Sequence, residues 1–109
     1  MFAFEIPGQR FSLPAGADVE RFRFVSANAT SNGITATAST PVIGVSMNKA
    51  ATGEVLEIAD GIVMVEAGGA VTAGVAVTSN ASGQAIAGDG NAIALTGATA
   101  AGELITVKL

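Results

Sequence analysis

The sequence predicts an all-β fold: a small single-domain β-barrel or β-sandwich of short strands with an extended N-terminal arm. Three observations support this prediction. Apolar residues alternate or form short runs, glycines interrupt those runs, and no segment longer than a few residues is typical of a helix. The stretch 53–84 shows the pattern most clearly, because Gly61, Gly69 and Gly74 divide its valine- and isoleucine-rich segments.

The first residues alternate in the manner of a half-buried strand. Phe2, Phe4 and Ile6 fall on one face, and Pro7-Gly8 ends the predicted strand. This arm is either an edge strand of the chain's own sheet or a strand that adds to the sheet of a neighbouring subunit. The pattern leaves both alternatives open.

A second alternating segment, 19–25, predicts another strand. Its alternation assigns Phe22 and Phe24 to the core, and Arg21 and Arg23 to the opposite face. The two arginines either lie on a solvated face or contact acidic groups of a partner, because a guanidinium presents a planar fork of donors that suits carboxylates. We take both arginines, together with the three apolar residues of the arm, as the candidate interface residues.

The rest of the sequence completes a β-domain at 18–109, which follows an N-terminal arm and connector at 1–17. The polar stretch 26–40 is either a surface loop or a flat edge hairpin with its turn at Asn32-Gly33. Further strands are predicted at 41–47, 85–87, 93–95 and 104–109.

One pattern occurs twice in the sequence. Residues 43–58 and residues 93–107 both read as a strand, an Ala/Thr-rich turn, Gly-Glu and a second strand, with one residue fewer in the second turn. A repeated hairpin-like unit around a central meander favours a closed or nearly closed barrel or a sandwich, without separating the two.

The composition excludes several classes of function. The 109 residues include no cysteine and no histidine, which removes disulfides, the standard zinc sites and the commonest general base. The net charge is −4 and no run of Lys or Arg occurs, so we expect no direct binding of nucleic acid. We predict no catalytic residue, no cofactor and no metal site.

The surface composition points to a protein partner. Only 13% of residues are charged, against about 25% in a typical globular domain. Such a surface favours burial against a partner or in an oligomer. No apolar stretch approaches the ~20 residues that span a bilayer, and the N-terminus lacks the plan of a signal peptide, so we expect no membrane association and no export.

Three segments resemble the small capsid cement, or decoration, proteins of tailed bacteriophages: 45–58, 61–77 and 94–109. The shared pattern is a strand that leads into an Ala-rich turn and Gly-Glu, a meander containing Val-Thr-Ala-Gly, and a final hairpin. The resemblance implies a non-enzymatic virion protein, assembled in the host cytoplasm, that binds the outer surface of the icosahedral head. It also implies that the protein bridges major capsid protein subunits, stabilises the shell and forms a homo-oligomer, with a trimer favoured.

Two other functions are alternatives. A carrier domain of an enzyme presents a lysine at a hairpin tip, where this sequence has Lys49. The biotin-carrier motif places Met on both sides of that lysine, whereas Asn48 and Ala50 flank Lys49 here. A β-module of a tail fibre or of a secreted adhesin is the other alternative.

Overall fold

A computed structural model describes residues 3–38, 40–90 and 92–109 as one open sheet that curls into a half-barrel. The strands are β1 (Ile6–Pro14), β2 (Phe24–Ala27), β3 (Gly33–Thr35), β4 (Gly44–Ser46), β5 (Val55–Glu66), β6 (Ala76–Ser79), β7 (Ala85–Ala87), β8 (Ala92–Ala94) and β9 (Leu104–Lys108). Their order in the sheet is β3-β2-β4-β5-β9-β8-β6-β7, with β1 paired to β5. The described residues contain no helix, so the all-β prediction is confirmed, and the alternatives of barrel and sandwich resolve to a half-barrel.

The longest strand, β5, passes through Gly61, so the prediction that this glycine separates two strands is wrong. Gly61 has a φ of 87°, which glycine adopts without a steric penalty, and it allows the strand to change partners. The residues before Gly61 pair with β1 and β4, and those after it pair with β9, while Gly61 and Ile62 also pair with the start of β1. β5 is therefore shared by the two halves of the sheet.

β1 extends further along the chain than the sequence predicts. The predicted strand end at Pro7-Gly8 is wrong, because β1 continues to Pro14, within the segment 1–17 that was expected to end in a connector. The prolines are tolerated because β1 pairs only with β5, and the register shifts between Pro7 and Arg10. Ile6, the last residue of the predicted arm, therefore lies in a strand of the chain's own sheet, which is the first of the two alternatives.

The strand predicted over 19–25 is also wrong for most of its length, because β2 begins only at Phe24. A turn precedes it, in which Phe22 has a left-handed φ of 63° and its N–H donates to the Ser46 carbonyl at 3.0 Å. Phe24 lies in the core as predicted, whereas Phe22 is only half-buried. The polar stretch 26–40 forms the edge hairpin β2–β3, the second of its two alternatives.

The sheet consists of two repeats with the same topology. The first repeat (10–59) contains most of β1, then β2, β3, β4 and the start of β5, and the second repeat (62–108) contains the end of β5, then β6 to β9. Four isolated bridges mark equivalent positions: Ala15–Gly33 and Ala67–Ala85 are parallel, and Val19–Ala50 and Val71–Ala98 are antiparallel. The sequence repeat is thus structural, and it covers almost the whole chain.

Each repeat encloses a core of equivalent residues. These are Ala15, Val19, Val25, Ala50, Leu56 and Ile58 in the first repeat, and Ala67, Val71, Val77, Ala98, Ile105 and Val107 in the second. The second core also includes Phe24, Val45 and Ala59 of the first repeat. Burial of each valine, leucine, isoleucine or phenylalanine contributes about 1.5–3 kcal/mol, so the contact between the repeats is part of the folding energy.

A cross-strand row of four residues lies on the outer face of each repeat. Row 1 is Arg10, Ala59, Val45 and Phe24, and row 2 is Ile62, Lys108, Ile93 and Ala76. Paired residues point to the same face of a sheet, so each row is one surface. Row 1 is buried by the second repeat except at Arg10, whereas Lys108 and Ile93 of row 2 are exposed. The repeats therefore stack with the outer face of the first on the core of the second.

Candidate functional site

Among the residues that the structure describes, most of the exposed large apolar side chains lie on the outer face of the second repeat. We call this surface the apolar face and define it by Phe4, Ile6, Ile62, Ile93, Leu95 and Leu104. Five of these side chains are exposed, from 36% for Leu95 to 63% for Ile6, and Ile62 is half-buried. Lys108 lies between Ile62 and Ile93 on this face. Clusters of exposed apolar side chains with a polar surround commonly mark interaction sites, so the apolar face is the candidate interaction surface of the molecule.

The N-terminal residues contribute to the apolar face through contacts within the chain. Ile6 pairs with Ile62 and extends row 2 by one strand. The Thr106 hydroxyl donates to the Phe4 carbonyl at 2.7 Å and accepts from the Phe4 N–H at 2.5 Å. Phe4 and Ile6 therefore lie beside each other as predicted, while Phe2 lies outside the described residues.

The structure separates the two candidate arginines. Arg21 is exposed, and its guanidinium carbon lies 4.4 Å from the centre of the Phe22 ring. Arg23 lies between the repeats, where its Nη2 is 2.9 Å from Glu66 Oε2 and its Nη1 donates to the Ser82 carbonyl at 3.1 Å. Arg21 is available to a partner, and Arg23 holds the two repeats together.

Backbone groups complete the contact between the repeats. The Phe24 N–H donates to the Gly83 carbonyl at 2.7 Å, and the Glu66 N–H donates to the Phe22 carbonyl at 2.9 Å. A Cβ atom on Gly83 would lie 2.7 Å from Thr35 Cγ2 and 3.0 Å from the Phe24 carbonyl oxygen. The close approach of the two repeats at this point therefore requires glycine.

The titratable side chains do not form a catalytic arrangement in the part of the chain that the structure describes. No three potential ligands among the described residues are grouped so as to hold a metal ion. Lys49 is exposed, with its Nζ 3.6 Å from Glu20 Oε1. No helix within 3–38, 40–90 or 92–109 is long and apolar enough to cross a membrane.

Glu103 carries a structural carboxylate in the turn before β9. The Thr99 hydroxyl donates to Glu103 Oε2 at 2.6 Å and the Thr99 N–H donates to Oε1 at 3.2 Å. These two hydrogen bonds lower the pKa of Glu103, because they stabilise its charged form. The equivalent Glu54 accepts from the Ala51 N–H at 2.7 Å. Both acids therefore close a repeated turn.

A small cavity lies between the repeats. Its volume is about 120 Å³, and its lining includes Phe24, Val42, Val77 and Leu109. Sites for small molecules usually measure about 300–1,000 Å³. The cavity is too small to hold a typical cofactor.

The family model for phage cement proteins matches residues 6–109. The chain belongs to the phage cement protein family. The family resemblance found in the sequence is thereby confirmed, and the cement protein is a structural protein associated with the phage head. No curated protein matches the sequence.

Among the solved structures similar to this cement protein is the head fiber gp8.5 N base of bacteriophage phi29. The TM-score is 0.74 at 19% sequence identity, and the match covers 91% of each chain. At this identity, the similarity supports the half-barrel architecture.

The sequence did not identify most of the apolar face of the cement protein. The sequence pattern places Ile93, Leu95 and Leu104 in strands and does not mark them as an interface. A signal was present, because Ala92 to Leu95 is apolar at every position, whereas a strand with one solvated face alternates with polar residues. Such a strand is buried on one face by its own core and is available on the other face to a partner.

Proposed function

We propose that this cement protein binds the outer surface of a tailed-phage icosahedral head, bridges neighbouring major capsid protein subunits and thereby stabilises the shell. It acts as a homo-oligomer, with a trimer favoured, and is not an enzyme. The observation that carries the proposal is the apolar face, an exposed surface on a rigid sheet in a protein of this family.

The chemistry of the surface suits a protein partner. Apolar side chains exposed on strands are already ordered, so their burial costs little conformational entropy. Many such contacts, repeated over a shell, give high avidity without one strong contact. We place Phe2, Phe4, Ile6 and Arg21 nearest the shell or a sister subunit. Arg23 contributes to this interface indirectly, because it donates a hydrogen bond to the Ser82 carbonyl and so holds the turn at 80–84 in place.

Co-sedimentation with purified shells tests the proposal. We expect saturable binding to expanded shells, little binding to unexpanded shells and greater heat resistance of the decorated shell. The variant Ile6→Asp should weaken binding, because it places a charge on the apolar face without disturbing the core. Thr52→Asp adds the same charge to an exposed turn and serves as the control. If neither form of the shell binds the protein, the proposed function is wrong.

A further inference from the structure

The two repeats bury equivalent surfaces to different extents. In row 1, Val45 and Phe24 are at most 1% exposed, because the second repeat covers them. In row 2, the equivalent residues are Ile93, which is 42% exposed, and Ala76, which is half-buried. We propose that row 2 binds the first repeat of a second copy of this chain, through contacts equivalent to those that row 1 makes with the second repeat.

The surface that would receive row 2 is also present and open. Within the chain, the surface of the second repeat that faces the first includes Val63, Ser79 and Gly83, all of which are buried. Val63 shares a core cluster with row 1, Gly83 contacts Phe24, and Ser79 donates to the Ala36 carbonyl. The equivalent positions of the first repeat are Phe11, Ala27 and Ser31, all of which are exposed. Phe11 is 37% exposed, whereas Val63 is fully buried. Each copy therefore has one uncovered surface of each kind.

The residues that differ between equivalent positions of the two repeats are compatible with a contact between two copies. The Arg23–Glu66 ion pair within the chain corresponds to Val75 and Pro14 across two copies. Both charges are replaced together by apolar residues, so neither position leaves an unpaired charge at the interface. Lys108 replaces Ala59 in row 2, and its long stem allows the ammonium group to reach solvent at the rim.

The N-terminal segment leaves the centre of row 2 open. Ile6 pairs at the Ile62 end of the row, on the side away from Ile93 and Ala76. Val55 and Leu104 occupy equivalent positions, and both are exposed. Since Val55 stays exposed although the second repeat is in place, Leu104 also stays exposed when a second copy binds, and both residues remain free for the shell.

This contact joins two different surfaces, so it is heterologous. Such contacts generate closed rings or open filaments, whereas a two-fold dimer uses the same surface on both partners. The inference rests on the homo-oligomer of the proposed function but requires no shell. Self-association and shell binding can therefore fail separately.

Disulfide trapping tests the contact, because the sequence contains no cysteine. An ideal Cβ on Gly83 lies 3.2 Å from the Cβ of Arg23, close to the ~3.5–4.5 Å that a disulfide requires. The equivalent positions across two copies are Ser31 and Val75. We expect a mixture of the single variants Ser31→Cys and Val75→Cys to form a covalent dimer under mild oxidation, and the double variant to form higher covalent oligomers.

Two controls define the result. A mixture of Thr52→Cys and Val75→Cys measures random collision, since Thr52 lies on an exposed turn outside both surfaces. Ser31→Cys alone measures a two-fold contact. Cross-linking of the Ser31 and Val75 pair no greater than either control overturns the inference, whether the protein is then a monomer or associates through another surface.

Sedimentation equilibrium provides an independent measurement without cysteines. Ile93→Glu should weaken self-association about tenfold or more, because it places a charge at the centre of row 2. Val55→Glu introduces the same charge at an exposed position outside the contact and should leave self-association unchanged. If the two variants behave alike, row 2 is not the contact. If self-association follows this prediction but shells are not bound, the inference stands and the proposed function fails.

Discussion

Equivalent turns of the two repeats place different demands on single residues. Ser31 and Gly83 both have a left-handed φ, at 64° and 76°. In each turn an asparagine, Asn28 or Asn80, accepts hydrogen bonds from two backbone N–H groups through its Oδ1. Of these two residues, only Gly83 also contacts the other repeat. Residue 83 therefore needs both a left-handed φ and a side chain no larger than a hydrogen atom.

Substitutions at these turns separate the two requirements. Gly83→Ala should lower the free energy of unfolding by about 2–3 kcal/mol, through left-handed strain and overpacking together. Gly102→Ala should cost only about 1 kcal/mol, because Gly102 has a φ of 94° with no atom within 4 Å of an added Cβ. Urea denaturation measures both values. If the two variants lost the same free energy of unfolding, the close approach of the repeats would not be the reason that residue 83 is glycine.

At the scale of elements, the Arg23–Glu66 ion pair contributes to the contact between the repeats. The Arg23 and Glu66 side chains are 20% and 26% exposed, and Gln84 also donates to the Glu66 carboxylate. Charge pairs this far from solvent are costly to break, because the remaining charge loses its partner without regaining full hydration.

Arg23→Ala should therefore lower the free energy of unfolding by about 2 kcal/mol, below the range for fully buried pairs because Glu66 retains some hydration. Lys49→Ala breaks the exposed Lys49–Glu20 pair and should cost less than about 0.5 kcal/mol. Denaturation of both variants in the same buffer gives the comparison. A loss for Arg23→Ala as small as that for Lys49→Ala would mean that the pair does not hold the repeats together.

The strands after residue 84 could be predicted from the sequence, and several earlier ones could not. β7, β8 and β9 coincide with short apolar runs that begin after a glycine, as expected. The segment 19–25 alternates like a strand, but alternation does not report that Phe22 takes a left-handed conformation. Gly61 resembles a strand end in sequence, yet β5 continues through it because the residues on both sides pair with neighbouring strands.

At the scale of the whole molecule, the shared core couples the two repeats. Because Phe24, Val45 and Ala59 belong to the second core, the second repeat loses part of its core when the first unfolds. Two bodies coupled in this way are expected to unfold together.

Hydrogen exchange should show this cooperativity. The equivalent core strands β2 and β6 should have amides that exchange with the same free energy of opening, equal to the global value. Amide exchange followed by NMR measures both strands in one experiment. Lower protection throughout β6 than in β2 would indicate that the second repeat opens independently.

The family and the fold class could be predicted from the sequence, but the shape of the candidate surface could not. The partial repeat at 43–58 and 93–107 was visible because its turn composition is distinctive. The rest of the duplication was weaker in sequence, although Ala15-Gly16 recurs as Ala67-Gly68 and Asn28-Ala29 as Asn80-Ala81. Even a complete alignment of the two repeats with each other does not reveal which repeat has its outer face covered by the other, because that depends on how the repeats stack.

Because of the way the repeats stack, equivalent positions of the two repeats tolerate different substitutions. A charge at Ala59 would disrupt folding in every molecule, whereas its counterpart Lys108 is charged and the chain still folds. Differences such as Ser31 and Gly83 follow from the contact between the repeats within the chain. Differences such as Ala59 and Lys108 instead reflect that the outer face of the second repeat is uncovered, so that a side chain there is free to suit whatever the surface meets.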